Sequence, residues 1–143
     1  MSGGPHIISH TNPRRFYDIE RNSSDEQLKQ IGERGGVVGL GALLLSPHPE
    51  EIHLDFYVDQ IEYVVELIGL DGVGLGFDFF KFIYETLPPT ERAKLPEIPF
   101  MENFTDHSHT RQLTRKLLER GYTDDAIEKI LYRNFFRIFQ ELL

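Results

Sequence analysis

Three short apolar runs alternate with longer amphipathic segments along the first half of the chain. The runs are 6–9, 37–40 and 73–77, and they recur at intervals of roughly 30–35 residues. Between them, residues 24–34 and 54–67 carry apolar side chains near the 3.6-residue period of a helix. Short apolar strands joined by helical crossovers predict a β-α-β-α-β order and a parallel sheet, which is the repeat of an α/β barrel or a doubly wound fold.

Capping residues mark the boundaries of these helices. Ser24 is the predicted N-cap of the first helix, because Gln27 follows three positions later as a capping box requires. Gly35-Gly36 ends that helix and Gly69 ends the next, since glycine accepts the left-handed conformation that follows a helix. Residues 41–45 either extend the second strand or begin a loop.

After the third strand the alternation of apolar runs and helices weakens. Residues 80–84 are compatible with a short helix, and a proline-rich stretch from residue 88 predicts a loop of about 20 residues. A helix is expected to open at Ser108 or Thr110 and to stop at Gly121. The pattern then predicts further helices, one capped by Thr123 and a final aromatic one over residues 134–139.

Composition narrows the function classes. The 143 residues carry a formal net charge of −8, which argues against a nucleic-acid or anionic-membrane partner because both need a basic surface. There are no cysteines, so a metal would need His, Asp or Glu ligands. No apolar run approaches the roughly 20 residues of a membrane span, and the start 1–5 does not read as a signal peptide. A cytoplasmic location is therefore expected.

Two polar residues directly follow predicted strands. His10 ends the first, where it is either a metal ligand or acid/base group, or a partly buried histidine bonded to a carbonyl. Asp78 follows the third, and a carboxylate just past a buried strand must be solvated, paired or functional. Catalytic groups of α/β folds sit at the carboxyl ends of strands, so Asp78 is the leading catalytic candidate. The glycines at 72, 74 and 76 do not fit a dinucleotide fingerprint because they lie inside the strand; close approach of backbone or ligand is the better interpretation.

Other polar residues carry weaker signals. Arg21 lies in the same β-α connection as His10. Its guanidinium could form a bidentate hydrogen bond with a carboxylate, or it could form a surface ion pair with Glu20 or Asp18. His107 and His109 are interpreted as part of a capped helix entrance rather than a metal cluster, since positions i and i+2 do not face one way on a helix. The histidines at 48 and 53 are interpreted as loop residues.

Taken in order, the motifs of the chain resemble the carboxyl-terminal half of the membrane dipeptidase (renal dipeptidase) family. Each motif is short, but the ordered set covers nearly the whole chain. The set comprises Ile7-Ile8-Ser9-His10-Thr11-Asn12, Glu20-Arg21-Asn22, Asp25-Glu26-Gln27-Leu28, Gly35-Gly36-Val37-Val38-Gly39, Val73-Gly74-Leu75-Gly76-Phe77-Asp78-Phe79, Leu117-Leu118-Glu119-Arg120-Gly121-Tyr122-Thr123 and Asn134-Phe135-Phe136-Arg137-Ile138-Phe139.

The resemblance implies a zinc metallodipeptidase built on a (β/α)8 TIM barrel with two zinc ions. On that basis His10 would bind the second zinc, Arg21 would hold the carboxylate of a dipeptide substrate, and Asp78 would meet the substrate amine and relay a proton. A metal-activated hydroxide would attack the peptide carbonyl. The sequence departs from the family pattern on both sides of Asp78. The family often has serine or glycine before this aspartate and Asp-Gly soon after it, whereas here Phe77 precedes it and Phe80-Lys81 follow. This departure alters the pocket wall.

The family's early His-x-Asp pair, its bridging glutamate and its other metal histidine have no counterpart in this sequence. A TIM barrel takes about 250 residues, and three parallel strands cannot close. Residues 1–143 are therefore expected to form a single partial domain: the carboxyl-terminal half of a barrel, about three parallel strands followed by helices. It would need its amino-terminal half or self-association, and would be inactive alone. The alternatives are a catalytically silent half-barrel acting as a binding or assembly component, and a mononuclear metal or phosphate-binding domain using His10 and Asp78.

Overall fold

A computed structural model describes residues 4–44 and 46–143. The prediction that residues 1–5 are not a signal peptide concerns a segment that lies mostly outside the described residues. Leu45, the last residue of the segment 41–45, also lies outside them. The strands are β1 (Ile7–Thr11), β2 (Val37–Leu40) and β3 (Val73–Leu75). The helices are α1 (Asp25–Glu33), α2 (Leu54–Ile68), α3 (Lys81–Thr86), α4 (Pro89–Arg92), α5 (Thr110–Glu119), α6 (Asp124–Glu128) and α7 (Asn134–Leu142), with short 3-10 turns at Pro49–Glu51, Leu70–Gly72 and His107–His109.

The three strands form a parallel sheet in the order β1-β2-β3. Val38 pairs with Val73 and Gly39 with Gly74, so these two pairs lie on opposite faces of the sheet. Between Ile8 and Thr11 the pairing register of β1 with β2 shifts. The predicted β-α-β-α-β order with parallel strands is confirmed.

One face of the sheet packs against helices. Val38, Leu40 and Val73 are fully buried in the same core as Ile61 and Val64 of α2. This arrangement follows from the apolar stripe of α2, which the sequence pattern places over residues 54–67. Packing in this core fixes the positions of the carboxyl ends of the strands.

On the other face of the sheet, glycines lie beside the buried Val37. A Cβ on Gly74 would lie 2.4 Å from the ring of Phe135, and one on Gly39 would lie 3.1 Å from the same ring. A Cβ on Gly76 would lie 1.8 Å from the carbonyl oxygen of Ser9. The glycines therefore permit close approach of backbone, as predicted, and also of an aromatic ring, which was not predicted.

The aromatic ring belongs to the carboxyl-terminal helix, which is fastened at the amino end of β3. Asn134 is 3% exposed and donates two hydrogen bonds through Nδ2, to the carbonyl of Leu70 at 2.8 Å and to that of Val73 at 2.7 Å. Buried amides rarely stay unpaired, so these bonds fix the start of α7 on the sheet.

Several boundaries differ from the sequence prediction. β3 ends at Leu75 rather than at residue 77. The expected loop after residue 88 contains α4 (Pro89–Arg92). Residues 124–142 form one continuous rod in which a π-helical segment, Lys129–Arg133, joins α6 to α7. Within the described residues, every helix is too short or too polar to cross a bilayer.

Candidate functional site

The candidate site lies at the carboxyl edge of the sheet, where hydrogen bonding between strands continues past their ends. The amide of Gly41 donates to the carbonyl of Thr11 at 2.9 Å, and the amide of Ala42 donates to that of Phe77 at 2.8 Å. Residues 41–42 thus begin a loop that still ties the three strand ends together. Side chains placed on these ends are held close to one another.

His10 and Asp78 meet at this edge. His10 Nε2 lies 3.8 Å from Asp78 Oδ2, and the two side chains are 49% and 51% exposed. The Ser9 hydroxyl lies 2.9 Å from His10 Nδ1. The imidazole is therefore hydrogen-bonded on one nitrogen and directs the other toward the carboxylate.

Asp78 has an unusual backbone conformation, with φ of 52°. Its neighbours Phe77 and Phe79 stack on each other with ring centroids 4.8 Å apart, and both rings also pack edge-on against Phe104. Because the two flanking side chains share one aromatic cluster, the residue between them is turned outward. Left-handed backbone in a non-glycine residue is uncommon and concentrates at functional sites.

Arg21 lies in the loop between β1 and α1, whose base is tied by backbone hydrogen bonds around Ser23. Its Nη1 donates to Asn12 Oδ1 at 3.3 Å. In the part of the chain that the structure describes, Arg21 forms no ion pair with Glu20 or Asp18, and Asp18 lies 4.0 Å from Arg14 instead. Arg21 is an exposed residue, and this hydrogen bond links its guanidinium to the residue that follows β1.

Asn12 is a site residue that was not predicted individually: its only place in the sequence patterns was at the end of the motif Ile7-Ile8-Ser9-His10-Thr11-Asn12. It is 2% exposed and bonds to Gln60, a buried residue on α2, and to the carbonyl of Gly41. The partners lie 29 and 48 residues away in sequence, so no local pattern indicates them. The only available signal was a polar residue between a predicted strand and a proline.

The other histidines have structural roles. His53 lies in the loop before α2, as interpreted, and its Nδ1 accepts a hydrogen bond from the amide of Phe56 and thereby caps α2. His48 lies in the loop before α2, with its Nδ1 3.7 Å from a Glu50 carboxylate oxygen. His109 Nδ1 accepts from the amide of Thr105. His107 packs edge-on against Phe79 at 5.1 Å.

The helix entrance at residues 106–109 behaves as the capping interpretation predicts. Asp106 Oδ1 accepts from the amide of Ser108 at 2.8 Å and also from its hydroxyl. These hydrogen bonds, with a smaller contribution from the nearby histidine rings, hold the pKa of Asp106 below its usual range. Among the residues the structure describes, no three His, Asp or Glu side chains converge as a metal site would require.

A metal-binding role for His10 is compatible with its own geometry. Metal-binding histidines are oriented by a hydrogen bond to the second ring nitrogen, which is the contact His10 makes with Ser9. His10 and Asp78 together supply at most two ligands, whereas zinc takes three or four from a protein. His10 and Asp78 are therefore compatible with a metal site only if further ligands come from elsewhere.

Known proteins match this sequence over nearly its whole length. The family model for membrane dipeptidase (peptidase family M19) matches residues 1–95 and 96–142. A dipeptidase of Aspergillus terreus, ataJ, is 29% identical over 145 residues, covering 99% of this chain and 32% of the relative. An uncharacterized protein from the pqqA 5′ region of Klebsiella pneumoniae is 28% identical, covering 96% of this chain and 47% of the relative.

Solved structures share the fold. An amidohydrolase from Pseudomonas aeruginosa matches with a TM-score of 0.79 at 27% identity, covering 97% of this chain and 46% of that one. A metallopeptidase from Rhodobacter sphaeroides, liganded with a phosphinate mimic of the dipeptide L-Ala-D-Ala, matches with a TM-score of 0.75 at 20% identity, covering 96% and 36% respectively. These matches confirm the predicted fold class, an α/β chain forming part of a barrel, and the chain spans about a third to a half of the length of these relatives.

Proposed function

Since the chain belongs to the membrane dipeptidase family (peptidase family M19), we propose that it is the carboxyl-terminal part of a zinc-dependent enzyme that hydrolyses dipeptides. The observation that carries the proposal is the meeting of His10 and Asp78, 3.8 Å apart, at the carboxyl edge of a parallel sheet. That edge is where α/β enzymes place their catalytic groups. Residues 1–143 would then be one partial domain.

His10 would supply one ligand of a two-zinc centre, with the remaining ligands lying outside this chain. Bound zinc would make a hydroxide available at neutral pH for attack on a peptide carbonyl. Ser9 would hold the His10 ring through Nδ1 and leave Nε2 for the metal. With one or two ligands in place, the isolated chain is expected to bind zinc weakly and to be inactive.

Arg21 and Asp78 would bind the two ends of the substrate. The guanidinium of Arg21 suits a carboxylate, to which it can donate two parallel hydrogen bonds. Asp78, half exposed beside His10, would accept a hydrogen bond from the substrate amine and carry a proton to the leaving nitrogen. The dipeptide mimic bound by the Rhodobacter relative supports a dipeptide as substrate.

The wall next to Asp78 is aromatic. Phe80 packs on Phe100 at 5.2 Å, and both line a small cavity of about 10 Å³ together with Asp78 and Lys81. This cavity is too small for a side chain, so Phe80 would act as a wall that shapes the pocket rather than as a subsite. Substrate choice is therefore expected to differ from that of relatives with Asp-Gly after the aspartate.

The missing half of the barrel, or a second copy, would cover the sheet edges. In the described chain β1 and β3 each pair with β2 alone. Beside them lies an open apolar groove lined by Ile7, Leu75, Phe135 and Phe139. Sedimentation of the chain should show association; a sharp monomer that unfolds cooperatively would contradict this part of the proposal.

The activity test joins the chain to the amino-terminal half of the barrel that the proposal requires. The joined protein, loaded with zinc, is expected to hydrolyse L-Ala-D-Ala. Asp78→Asn should slow turnover by on the order of 10²–10⁴, because the proton carrier is lost while the shape is kept. Asp71→Asn is the matched control, since this exposed carboxylate pairs with Lys129 next to β3, away from the Asp78 edge.

Three results would count against the proposal. Equal turnover of the Asp78→Asn and Asp71→Asn proteins would remove Asp78 from the chemistry. Absence of hydrolysis in the joined protein, despite full zinc occupancy, would favour the catalytically silent half-barrel. Stoichiometric zinc on the chain alone would favour a mononuclear site built on His10.

A further inference from the structure

We propose that Asn12 is the positioning residue for Arg21, holding its guanidinium at the carboxyl edge of the sheet with the charge left uncompensated. The inference rests on the proposed role of Arg21 in binding a substrate carboxylate. It begins from the burial of Asn12, which is 2% exposed at the position after β1. A buried amide is stable only when its donors and acceptor are paired.

Both donors of the Asn12 amide are paired with acceptors that fix its orientation. Nδ2 donates to the carbonyl of Gly41 at 3.0 Å and to Gln60 Oε1 at 2.8 Å. Gln60 is 1% exposed and sits on α2, so the amide is locked between a strand end and a helix. Exchanging the oxygen and nitrogen would set Oδ1 against the Gly41 carbonyl, an acceptor facing an acceptor.

With its nitrogen held in this way, Asn12 directs Oδ1 to the guanidinium. Arg21 Nη1 donates to this oxygen at 3.3 Å. Gly41 leaves room for the contact: a Cβ there would lie 3.2 Å from Asn12 Oδ1 and 3.9 Å from Arg21 Nη2. The loop that carries Arg21 is also tied to the same residue, because the amide of Ser23 donates to the Asn12 carbonyl at 2.9 Å.

The hydrogen bond from Arg21 goes to a neutral amide, and this determines the charge that Arg21 presents to a ligand. Asn12 takes one of the five guanidinium donors and adds no negative charge, so the remaining donors and the full positive charge face a ligand. Within the residues that the structure describes, Arg21 forms no ion pair with a carboxylate, and the loop carboxylate Asp18 lies 4.0 Å from Arg14 instead. A preorganised, uncompensated arginine is suited to hold the carboxylate end of a dipeptide.

The experiment measures the order of the Arg21 side chain by ¹⁵N relaxation of its Nε–Hε group in the 143-residue chain. Asn12→Ser is expected to lower the order parameter to below about 0.6, the range of flexible groups. Asn134→Ser is the matched control: this asparagine is equally buried and also donates to two carbonyls, but at the amino end of β3. The control should lose comparable stability and leave the Arg21 order parameter unchanged.

A second variant keeps the test decisive if Asn12→Ser does not fold. Gly41→Ala keeps the amide but places a methyl group within 3.2 Å of Oδ1, so it should shift and broaden the Arg21 signal. An Arg21 side chain that stays equally ordered in Asn12→Ser or Gly41→Ala overturns the inference. Equal loosening in Asn134→Ser also overturns it, because the effect would then follow general stability.

The joined protein separates this inference from the proposed function. Asn12→Ser there should raise KM for L-Ala-D-Ala on the order of tenfold, the range seen when a supporting residue is lost, with kcat nearly unchanged. If Arg21 loosens while KM stays constant in both Asn12→Ser and Arg21→Met, the positioning role stands and the carboxylate role of Arg21 fails. If KM rises in Arg21→Met alone, the carboxylate role stands and the positioning role fails.

Discussion

The left-handed backbone of Asp78 allows a test that does not depend on activity. At φ of 52° a side chain with a Cβ crowds the following carbonyl oxygen, at a cost of roughly 1–2 kcal/mol that glycine avoids. Glycine in turn gives the unfolded chain more freedom, which lowers stability by about 0.5–1 kcal/mol relative to alanine. The structure therefore predicts that Asp78→Gly is more stable than Asp78→Ala by about 0.5–1 kcal/mol.

This comparison isolates the backbone. Both variants lose the contact with His10, and that loss cancels between them. For a chain of this length a difference of 1 kcal/mol corresponds to about 3–4 °C in Tm. Asp18 serves as the matched position, because it is 87% exposed and is not among the residues with positive φ. There the order should reverse, with alanine more stable than glycine.

The assay is urea unfolding followed by circular dichroism, with equal m-values required before the free energies are compared. Asn103, with φ of 56°, should show the same preference for glycine as Asp78. An Asp78→Ala chain as stable as Asp78→Gly would refute the reasoning. It would mean that the aromatic pair around Asp78 does not impose the left-handed conformation in solution.

Two further predictions concern packing and ion pairs. Gly74→Ala should destabilise the chain by about 1–3 kcal/mol, because its Cβ would lie 2.4 Å from the Phe135 ring, and Phe135→Leu should restore part of the loss in a double-mutant cycle read by urea unfolding. Lys116→Met should lower the free energy of unfolding at pH 7 but not near pH 2. The hydrogen bond from Lys116 holds the pKa of Asp55 below its usual range, so the stabilisation is present above about pH 4 and is lost as pH falls through the lower folded pKa. Equal losses at both pH values would contradict the ion-pair explanation.

Much of the fold could be predicted because its signals are local. The capping box of Ser24 and Gln27 forms as expected, and Gly69 and Gly121 adopt positive φ after their helices. His10 and Asp78 could be paired in advance, because parallel strands end at one edge and each residue was predicted at the carboxyl end of a strand. In the structure β1 extends to Thr11, so His10 is its last residue but one. These predictions need a few neighbouring residues and a rule of topology.

The parts that escaped prediction depend on contacts distant in sequence. The bond between Asn12 and Gln60 joins residues 48 apart, and nothing near either residue indicates it. The backbone of Asp78 depends on the stacking of its neighbours against Phe104. His53 was missed as a cap because serine, threonine, aspartate and asparagine are the usual residues at that position. The roles of His10, Arg21 and Asp78 remain predictions.

The fastening of the carboxyl-terminal helix has a consequence for synthesis on the ribosome. Asn134 supplies the partners for two carbonyls beside β3, and Phe135 covers the glycines of β2 and β3. The strands emerge at least sixty residues before the segment that covers them. During that interval, on the order of 3–12 s at ordinary elongation rates, the nascent chain presents a bare sheet face, and this is when a chaperone would engage it.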